Sequence, residues 1–438
     1  PDRSAHPSLY EVKKVYQYVK FTSENQKSGK ITLTNNYDFT NLSDYDFSWK
    51  LMENGIQIAK GKLPELDVAP HNSKEIQLDL PELTNTNAEY FLNFFVSTKT
   101  TSALIPENFI LAYEQFQLTD YASPVFENAL EGISVSKENN TIKVHGDGFE
   151  IGFNSGNGKL VSLDYGYGNI IKKGPSTNFW RAPTDNDFGY NMPLKLKMWK
   201  EATVNQNLVG FKVNSNGGKK VMEVAKLSNN PFKVKNDLKF IATYELPAVN
   251  GSVVTTYGIN DKGEILVTNQ LNGIDEALPI LPRFGNNFII DNAYKNVTWY
   301  GRGAHENYQD RKTSALVGLY RAKVEDLYFE YIRPQENGYR TDVRTLSFTN
   351  DDGQGVLIAA PTFFGFSAHH QYNSDFDEGE KKQQRHAFDI PKRDLININI
   401  DHSQMGVGGD NSWGLMPHKK YQIPAANLSF SFMIQPLH

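Results

Sequence analysis

The chain of 438 residues contains no cysteine, which excludes disulfides, zinc ribbons, iron–sulfur clusters and thiol nucleophiles. A protein without thiols is indifferent to redox conditions, so cytoplasmic and periplasmic locations both stay open. Long hydrophobic runs are also missing. The longest, Val356–Ala368, is interrupted by Pro361 and Gly365 and is shorter than the ~20 apolar residues that span a bilayer. The first residues lack the apolar core of a signal peptide, so we expect no signal segment, no transmembrane segment and no membrane partner in this piece.

An excess of positive charge is absent as well. The chain has 45 Lys and Arg against 50 Asp and Glu, a formal net charge of −5. This balance offers no counterpart to a phosphate backbone, and no nucleic-acid partner is expected. The sequence also lacks the regular alternation of strands and helices, which excludes a doubly wound parallel sheet and a (β/α)₈ barrel.

Aromatic residues make up 12% of the chain, and it contains 33 Gly and 20 Pro. Aromatic side chains suit strands while Gly and Pro mark turns, so this composition predicts an all-β fold. Residues 1–120 are predicted to form an immunoglobulin-like β-sandwich. Asn54-Gly55 marks a hairpin turn there. The seven candidate strands are Tyr18–Ser23, Gly29–Asn35, Asp46–Met52, Gln57–Lys62, Glu75–Leu80, Glu89–Ser97 and Phe109–Leu118.

The alternating pattern lapses between the two halves, and residues 121–140 are interpreted as a linker. Residues 141–438 then predict one large antiparallel β domain. Ser314–Ala322 and Lys195–Glu201 are predicted as short helices or loops. The clearest strands of this half are Val253–Tyr257, Glu264–Leu271, Leu346–Thr349, Gly355–Ala360 and Leu395–Ile400.

Asp185–Gly189 (DNDFG) is dense in carboxylate and amide groups. It resembles the opening of a calcium loop, but an EF-hand needs Gly at position 6 and Glu at position 12, where this chain has Tyr190 and Leu196. An EF-hand is therefore excluded. The segment is either a plain surface loop or a loop that faces a sugar or a cation.

Glu306 and Glu336 are each followed by Asn, and a pair of carboxylates is what glycoside hydrolysis requires. The alternative is a pair of buried Glu residues held by Arg side chains such as Arg311 and Arg340. A zinc site at His305-Glu306 is not expected, because the fifth position is Gln309 and not a second His.

Gly406–Trp413 (GVGGDNSW) is the most informative stretch of the sequence. Three Gly residues in four positions remove side-chain bulk and permit unusual backbone angles, and Asp410, Asn411 and Trp413 follow. An indole next to polar groups suits a sugar, because its flat face packs on the C–H face of the ring while the polar groups bond the hydroxyls. The alternative is a Trp that caps a hydrophobic core beneath a Gly turn.

Four motifs taken in order resemble the signatures of the C-terminal domain of family 2 β-galactosidases. These motifs are Arg181–Gly189, Gly301–Arg311, Pro334–Arg340 and Met405–Trp413. The first half agrees, since His6–Lys13 resembles the exit from the catalytic barrel of that family. Asn35–Phe39 and Leu66–Pro70 resemble its following immunoglobulin-like domain. The resemblance covers essentially the whole chain.

The resemblance implies an immunoglobulin-like β-sandwich followed by a large galactose-mutarotase-like β-supersandwich. It also implies that the acid/base Glu, the nucleophile Glu and the Mg²⁺ ligands of a retaining β-galactosidase lie upstream, in a (β/α)₈ barrel that this chain lacks. Accordingly no catalytic residue is assigned here, and this piece needs no cofactor of its own. A structural Ca²⁺ or Na⁺ site stays open. No firm match to the His/Glu pair of mutarotases is present; His369, His370 and Glu378 are candidates by residue type alone.

The resemblance also implies roles for particular residues. Trp413 matches a Trp at the rim of the active site, where it packs against the outer, aglycone part of the sugar. Asp185–Gly189 matches the start of a loop that borders the same pocket. The expected substrate contacts are Trp413, Asp410, Asn411, Asp185, Asn186 and Asp187. The expected structural residues are Arg181, Gly189, His305, Glu306, Asn307, Arg311, Glu336, Asn337, Gly408 and Gly409.

Three interpretations follow. The first is an inactive C-terminal piece of a β-galactosidase, with a β-galactoside and the barrel of its own parent chain as partners. The second is the small subunit of a split enzyme, whose barrel belongs to a separate large subunit. The third, from another class, is a free-standing galactoside-binding module that works without a hydrolase.

Overall fold

The computed structural model describes residues 4–215, 220–411 and 413–438. The described residues fold mainly into antiparallel β-sheets, which confirms the predicted all-β class. They form two compact units. The first unit runs through Ser123 and also takes in Tyr300–His305 and Arg311–Tyr320. The second unit comprises Pro124–Trp299, Glu306–Asp310 and Arg321–His438.

All seven strands predicted in the first unit are present. They are β1 (Val19–Asn25), β2 (Lys30–Asn35), β3 (Tyr45–Glu53), β4 (Ile56–Lys62), β5 (Ser73–Gln77), β6 (Tyr90–Thr98) and β7 (Ile110–Gln117). They form a three-stranded sheet in the order β1-β2-β5 and a four-stranded sheet in the order β4-β3-β6-β7. Buried residues of both sheets, such as Leu33 and Phe94, share one hydrophobic core, as in a β-sandwich.

The predicted hairpin turn is confirmed between β3 and β4. Asn54 has φ of 47° and Gly55 has φ of 80°, the positive angles that a two-residue turn of this kind requires. A short helix that the strand pattern did not predict, α1 (Pro7–Val15), precedes β1. Pro7 stands at its start and Lys13 and Lys14 lie in its last turn, both favourable positions.

The second unit contains a five-stranded sheet in the order β11-β10-β9-β8-β15. Its strands are β8 (Ser134–Glu138), β9 (Thr141–Gly146), β10 (Phe149–Asn154), β11 (Leu160–Asp164) and β15 (Phe232–Lys233). β8 begins inside the segment interpreted as a linker, so irregular chain extends only to about residue 133. Val135 in β8 and Val144 in β9 are fully buried. Successive side chains of a strand point to opposite faces of the sheet, and these two point to the buried face.

A large antiparallel sheet forms the body of the second unit. Its main path has the order β12-β19-β24-β23-β25-β18-β17-β16-β13-β14, and β22 pairs with β23. The strands are β12 (Ile171–Asn178), β13 (Asn207–Ser215), β14 (Lys220–Glu223), β16 (Leu238–Leu246), β17 (Gly251–Ile259), β18 (Ile265–Asn272), β19 (Arg283–Ile290), β22 (Arg340–Thr349), β23 (Gly355–His369), β24 (Ile396–Gln404) and β25 (Leu428–Leu437). Two more strands, β20 (Asn296–Gly303) and β21 (Leu316–Lys323), pair with each other.

The longest apolar run of the sequence lies within β23. Residues Gly355–Ala359 of this strand pair with β25, and Gly365–His369 pair with β24. Pro361 lies between these two stretches, where the pairing with β22 is also interrupted. Proline has no N–H for a ladder bond, so this interruption is what allows it inside the strand.

The helices of the second unit are short. They are α2 (Asp185–Gly189), α3 (Met192–Lys195), α4 (Lys197–Val204), α5 (Val324–Leu327) and α6 (Asn373–Phe376). Single 3₁₀ turns span Gln26–Ser28, Leu42–Asp44, Val224–Lys226, Pro247–Val249, Asn292–Tyr294, Ala387–Asp389 and Lys419–Tyr421. None of the described helices combines the length and the apolar character needed to cross a membrane.

Three local predictions have clear outcomes. The Lys195–Glu201 region is helical, as one of its two interpretations stated. The prediction of a helix or loop at Ser314–Ala322 is wrong, because β21 occupies this segment. The prediction of a loop at Asp185–Gly189 is also wrong, because this segment is α2. Its first turn forms a capping box in which Thr184 and Asp187 bond each other's backbone N–H.

Candidate functional site: the Trp413 loop

The segment Met405–His418, here called the Trp413 loop, follows β24 in the second unit. The Trp413 side chain is 88% exposed, and its backbone N–H donates to Asn411 Oδ1 at 2.9 Å. A Trp that capped a hydrophobic core would be buried, so this geometry contradicts the core-cap alternative. Ser412, part of the same motif, lies outside the described residues.

Arg181 holds the start of the loop. Its guanidinium is fully buried and donates to Met405 O at 2.6 Å and to Gly406 O at 2.9 Å. The same group forms a two-bond ion pair with Asp187, at 3.2 Å from Nε to Oδ2 and 2.8 Å from Nη2 to Oδ1. A planar guanidinium suits this arrangement, because it can bond a carboxylate and two carbonyls at once.

Asp187 is therefore a structural residue and not the substrate contact that the sequence predicts. Its side chain is 1% exposed, and its oxygens also accept bonds from Thr184 N at 2.9 Å and the Tyr190 hydroxyl at 3.1 Å. Burial raises the pKa of the Tyr190 hydroxyl, and the Asp187 charge raises it further, so Tyr190 stays a donor. No oxygen of Asp187 faces solvent.

Asp310 bonds the next part of the loop. Asp310 Oδ2 accepts from the N–H groups of Val407 and Gly408, each at 2.8 Å. Asn186 reaches the same part of the loop, since its Nδ2 donates to Val407 O at 3.0 Å. Asn186 is partly exposed at this position. Residues from α2, from the Glu306–Asp310 segment and from the chain after β24 thus meet at one place.

Glycines permit the close packing around the loop. A Cβ atom at Gly409 would overlap the backbone of Leu415, and one at Gly414 would overlap Gly189 O. Gly414 has φ of 111°, a conformation that L residues rarely adopt. Gly406, Gly408 and Gly409 lie outside the left-handed region, so their predicted role in unusual backbone angles is not observed. The close packing at Gly406 and Gly409 agrees with the other half of that prediction.

Besides Trp413, the predicted contacts Asp185 and Asp410 are exposed, and Asn186 and Asn411 are partly exposed. Asp410 Oδ1 lies 2.7 Å from His418 Nε2, and both side chains are mostly exposed. Asp185 forms ion pairs with Lys382 at 2.9 Å and with Arg333 at 3.3 Å. Exposed ion pairs of this kind contribute little to stability, and the role of Asp185 and Asp410 as substrate contacts stays a prediction.

Glu306 is buried and its two oxygens are both engaged. Oε1 accepts from the Tyr331 hydroxyl and Oε2 accepts from Gly338 N, each at 2.6 Å. The adjacent Asn307 is fully buried, and its Oδ1 accepts from Thr341 N and Thr341 Oγ1, at 2.9 Å and 2.6 Å. Arg340 lies near Glu306. Burial lowers the pKa of the Arg340 guanidinium to about 10, against the raising effect of the Glu306 charge. The Glu306 and Asn307 side chains are thus both held by contacts within the second unit, and their structural role stays a prediction.

Glu336 is buried against a different cation. Its Oε1 accepts from Arg283 Nη2 at 3.1 Å and from Gln404 Nε2 at 3.2 Å. Arg283 also lies 3.0 Å from Asp401 Oδ2, so one guanidinium serves two carboxylates. Burial and the charge of Glu336 raise the pKa of Asp401 to about 7, against the lowering effect of Arg283. Glu336 is thus held by Arg283 and not by Arg311 or Arg340.

The other residues predicted to be structural are divided between the two units. Asn337 is buried in the second unit and accepts at Oδ1 from His369 Nε2 at 3.1 Å. His305 belongs to the first unit, where it stacks on Tyr10 with ring centres 4.5 Å apart and bonds Ser314 Oγ at 2.9 Å. Arg311 also belongs to the first unit. Among residues 4–215, 220–411 and 413–438, no group of three His, Asp or Glu side chains is placed to hold a metal ion.

Comparison with known proteins identifies the family. The profile described as "Beta galactosidase small chain" matches residues 145–434. The chain belongs to the β-galactosidase small-chain family. A second profile, "Beta-galactosidase, domain 4", matches residues 31–119, within the first unit.

Curated relatives of this β-galactosidase small-chain protein carry the name "Beta-galactosidase". The protein from Priestia megaterium is 33% identical over 444 residues, which is 100% of this chain and 40% of that protein. The proteins from Pseudoalteromonas haloplanktis and Streptococcus thermophilus are 28% and 27% identical over 99% and 100% of this chain. The chain spans about 40% of the length of these relatives.

Among solved structures, a putative aldose 1-epimerase from Escherichia coli K12 has a TM-score of 0.34 at 6% identity, over 70% of this chain and 99% of its own. The galactose 1-epimerase from Lactobacillus acidophilus has a TM-score of 0.31 at 8% identity, over 70% and 99%.

Three residues of this small-chain protein emerged only from the structure. Asp310 lies in the Gly301–Arg311 motif, but nothing in the local sequence predicts its hydrogen bonds to the Trp413 loop. Gly414, directly after the Trp, could have been noticed as a fourth nearby Gly. Arg283 has no local signal, because its partners Glu336 and Asp401 lie 53 or more residues away.

Proposed function

We propose that this chain is the non-catalytic C-terminal part of a retaining β-galactosidase, which hydrolyses terminal β-D-galactosyl residues. It would belong to a longer chain or act as a separate small subunit, and it would shape the rim of an active site carried by a (β/α)₈ barrel. The observation that carries this proposal is the Trp413 loop, an exposed indole on a backbone held by charged side chains. An exposed indole face is a suitable platform for the C–H face of a sugar.

The catalytic step belongs outside this chain. A retaining glycosidase needs two carboxyl groups ~5 Å apart, one to attack the anomeric carbon and one to protonate the leaving oxygen and then activate water. Glu306 and Glu336 are each buried and bonded to separate structural partners. This chain would therefore supply binding surface and exclude water at the pocket edge, while the barrel transfers the protons.

Metal chemistry is also assigned to the barrel. We propose that the Mg²⁺ implied by the family resemblance is bound by residues of the barrel, as the resemblance itself implies. Mg²⁺ prefers oxygen ligands from carboxylates and water. We derive no step in this chain from a metal, and a structural Ca²⁺ or Na⁺ site stays a prediction.

Helix α1 supports the proposal of a large partner region. Its polar residues face its own unit: Glu11 accepts from Ser314 N at 2.8 Å, and Lys14 bonds Glu114 at 2.9 Å. Apolar residues at helical spacing are exposed: Leu9 by 52% and Val12 by 46% in α1, and Tyr16, directly after the helix, by 76%. A helix that docks by charge and exposes an apolar stripe is typical of an interface. We assign this stripe to the catalytic region that the relatives possess and this chain lacks.

The test is hydrolysis of a chromogenic β-galactoside by this chain alone, by the barrel region alone, and by the two combined. We expect no turnover from this chain and activity from the combination. In the combined enzyme, Trp413→Ala should raise KM for lactose and for aryl galactosides about 2- to 10-fold, since a ring platform contributes about 0.5–1.5 kcal/mol. Because the ring touches the substrate and not the reacting atoms, kcat should change little.

A matched control is Phe39→Ala, which removes an equally exposed aromatic side chain from the first unit. Turnover by this chain alone would contradict the non-catalytic role. An unchanged KM in Trp413→Ala for both substrate classes would contradict the platform. A free-standing sugar-binding module would instead bind galactose or lactose with at least millimolar affinity in calorimetry of this chain alone.

A further inference from the structure

Four consecutive residues at the start of the Trp413 loop are bound through their backbone groups by two charged side chains. Arg181 donates to the carbonyls of Met405 and Gly406. Asp310 accepts from the N–H groups of Val407 and Gly408 at 2.8 Å each. The cation bonds the carbonyls and the anion bonds the N–H groups, so each charge meets the complementary end of the peptide dipoles.

The Asp310 side chain makes no other hydrogen bond among the described residues. Both bonds go to one oxygen, Oδ2, while Oδ1 is buried without a hydrogen-bond partner in the part of the chain that the structure describes. The two N–H groups are partly buried and belong to a stretch without strand pairing, so no ladder bond satisfies them and the Asp310 carboxylate takes that place. A charged acceptor makes shorter and stronger bonds than a neutral one. Asp310 therefore fixes this stretch.

The glycine pattern fits the same arrangement. A Cβ atom at Gly406 would lie 2.6 Å from Asp310 Oδ2, too close for the carboxylate to keep its position. A Cβ atom at Gly408 would lie 3.7 Å from the same oxygen, an ordinary contact distance. The absence of a side chain at Gly406 is thus what lets Asp310 reach the backbone.

We propose that Asp310 is a positioning residue for the sugar platform: it holds Val407 and Gly408 so that Trp413, five residues after Gly408, presents its ring to the aglycone part of a β-galactoside. The inference rests on the proposed function, because it needs Trp413 to contact substrate. Without Asp310 the loop samples more conformations, and the platform is formed for only part of the time. The apparent affinity for substrate falls while the chemical step is unaffected.

The experiment uses the complete β-galactosidase with Asp310→Ala, Asp310→Asn, Trp413→Ala and the double variant Asp310→Ala/Trp413→Ala. We expect Asp310→Ala to raise KM for lactose and aryl galactosides about as much as Trp413→Ala does, with kcat within about twofold. The double variant should be no worse than Trp413→Ala, because both changes remove the same contact. Asp310→Asn should recover much of the affinity, since its amide oxygen can still accept both bonds.

Gly406→Ala and Gly408→Ala test the same contact from the loop side, and they serve if Asp310→Ala folds poorly. Gly406→Ala pushes against Asp310 Oδ2 and should raise KM like Asp310→Ala, whereas Gly408→Ala should cause a clearly smaller rise. Equal effects of the two alanines would overturn the proposal.

Hydrogen exchange of the Val407 and Gly408 amides gives a readout that does not depend on substrate. Exchange should accelerate in Asp310→Ala and much less in Asp310→Asn. Unchanged exchange in Asp310→Ala would show that Asp310 does not hold the loop. Faster exchange with an unchanged KM, in an enzyme where Trp413→Ala does raise KM, would overturn the positioning role alone. An unchanged KM in Trp413→Ala would instead remove the proposed function on which this inference rests.

Discussion

Two ion pairs in the second unit differ sharply in burial. Arg181 and Asp187 are 0% and 1% exposed and bond each other through two atoms, whereas Asp410 and His418 form a single exposed contact. Removing one member of a buried pair leaves an uncompensated charge, while an exposed pair is largely replaced by water. The buried pair therefore fixes local structure, whereas the exposed pair near Trp413 contributes little to it.

The burial of His369 can be tested through the pH dependence of the free energy of unfolding. Burial, together with the charges of Arg340, Arg283 and the nearby His370, lowers the pKa of its imidazole to about 3. Between that value and ~6.5 the unfolded chain binds a proton that the folded protein does not, so stability falls as pH drops below ~6.5. At pH 5 the loss from this group is about 2 kcal/mol.

The measurement is urea unfolding at pH 7 and pH 5 of the wild type and of His369→Gln, which can still donate to Asn337 Oδ1. The wild type should lose about 2 kcal/mol more between the two pH values than the variant does. Asp401 has the opposite dependence, since its raised pKa makes the folded protein take up the proton first. The difference between variant and wild type isolates His369, and equal losses in the two proteins would refute the assignment.

Pairing of β19 with β24 brings together the residues that surround Glu336. Arg283 lies on β19 and Asp401 on β24, and Gly285 pairs directly with Asp401 across the ladder. A Cβ atom at Gly285 would overlap Asp401 Oδ1 and approach Ile400 O to 2.6 Å. Lack of a side chain at Gly285 thus allows the two strands and the buried carboxylate to fit together.

We expect Gly285→Ala to destabilise the protein by about 1–3 kcal/mol or more, because overpacking at this position pushes backbone against backbone. The matched control is Gly210→Ala in β13, where a Cβ atom would meet only Thr243 Cβ at 4.0 Å. Alanine in an open strand position should be neutral or stabilise by up to about 1 kcal/mol. Thermal unfolding of both variants checks this pair, and a Gly285→Ala protein as stable as Gly210→Ala would contradict the steric argument.

At the scale of the whole molecule, the exposed apolar stripe at α1 is the surface that we propose for contact with the catalytic region. The chain spans about 40% of its β-galactosidase relatives, so most of their length lies elsewhere. The stripe of Leu9, Val12 and Tyr16 is exposed while the charged residues of α1 are docked. Burying it against the catalytic region would remove apolar surface from water on both sides.

Leu9→Asp combined with Val12→Asp should therefore weaken association with the separately produced barrel region at least tenfold, measured as the concentration for half-maximal β-galactosidase activity. The melting temperature of this chain alone should stay nearly unchanged, because both side chains are already exposed. Val204→Asp, an exposed apolar residue at the end of α4, is the control and should not affect association. Normal association of the α1 variant would show that the stripe is not the contact surface.

Much of this protein could be predicted from local sequence. Alternation of apolar and polar residues located β1 to β7, and the positive-φ preference of Asn54-Gly55 located the hairpin between β3 and β4. The ordered motifs identified the family, and the motif around Trp413 marked the candidate site. These signals were sufficient because period-two alternation, turn chemistry and motif spacing are properties of neighbouring residues.

Tertiary structure decided which polar groups became structural and which stayed open to a ligand. Asp187 and Asp185 stand two residues apart, yet one is buried against Arg181 and the other is exposed. Asp310 meets Val407 across 97 residues, and Arg181 meets Met405 across 224. Ser314–Ala322 became a strand because β21 pairs with β20. The sequence by itself determined strands β1 to β7 and the family. Strand pairing and burial decided the partners of the polar side chains, since contacts across such separations depend on how distant segments are brought together and leave no local pattern.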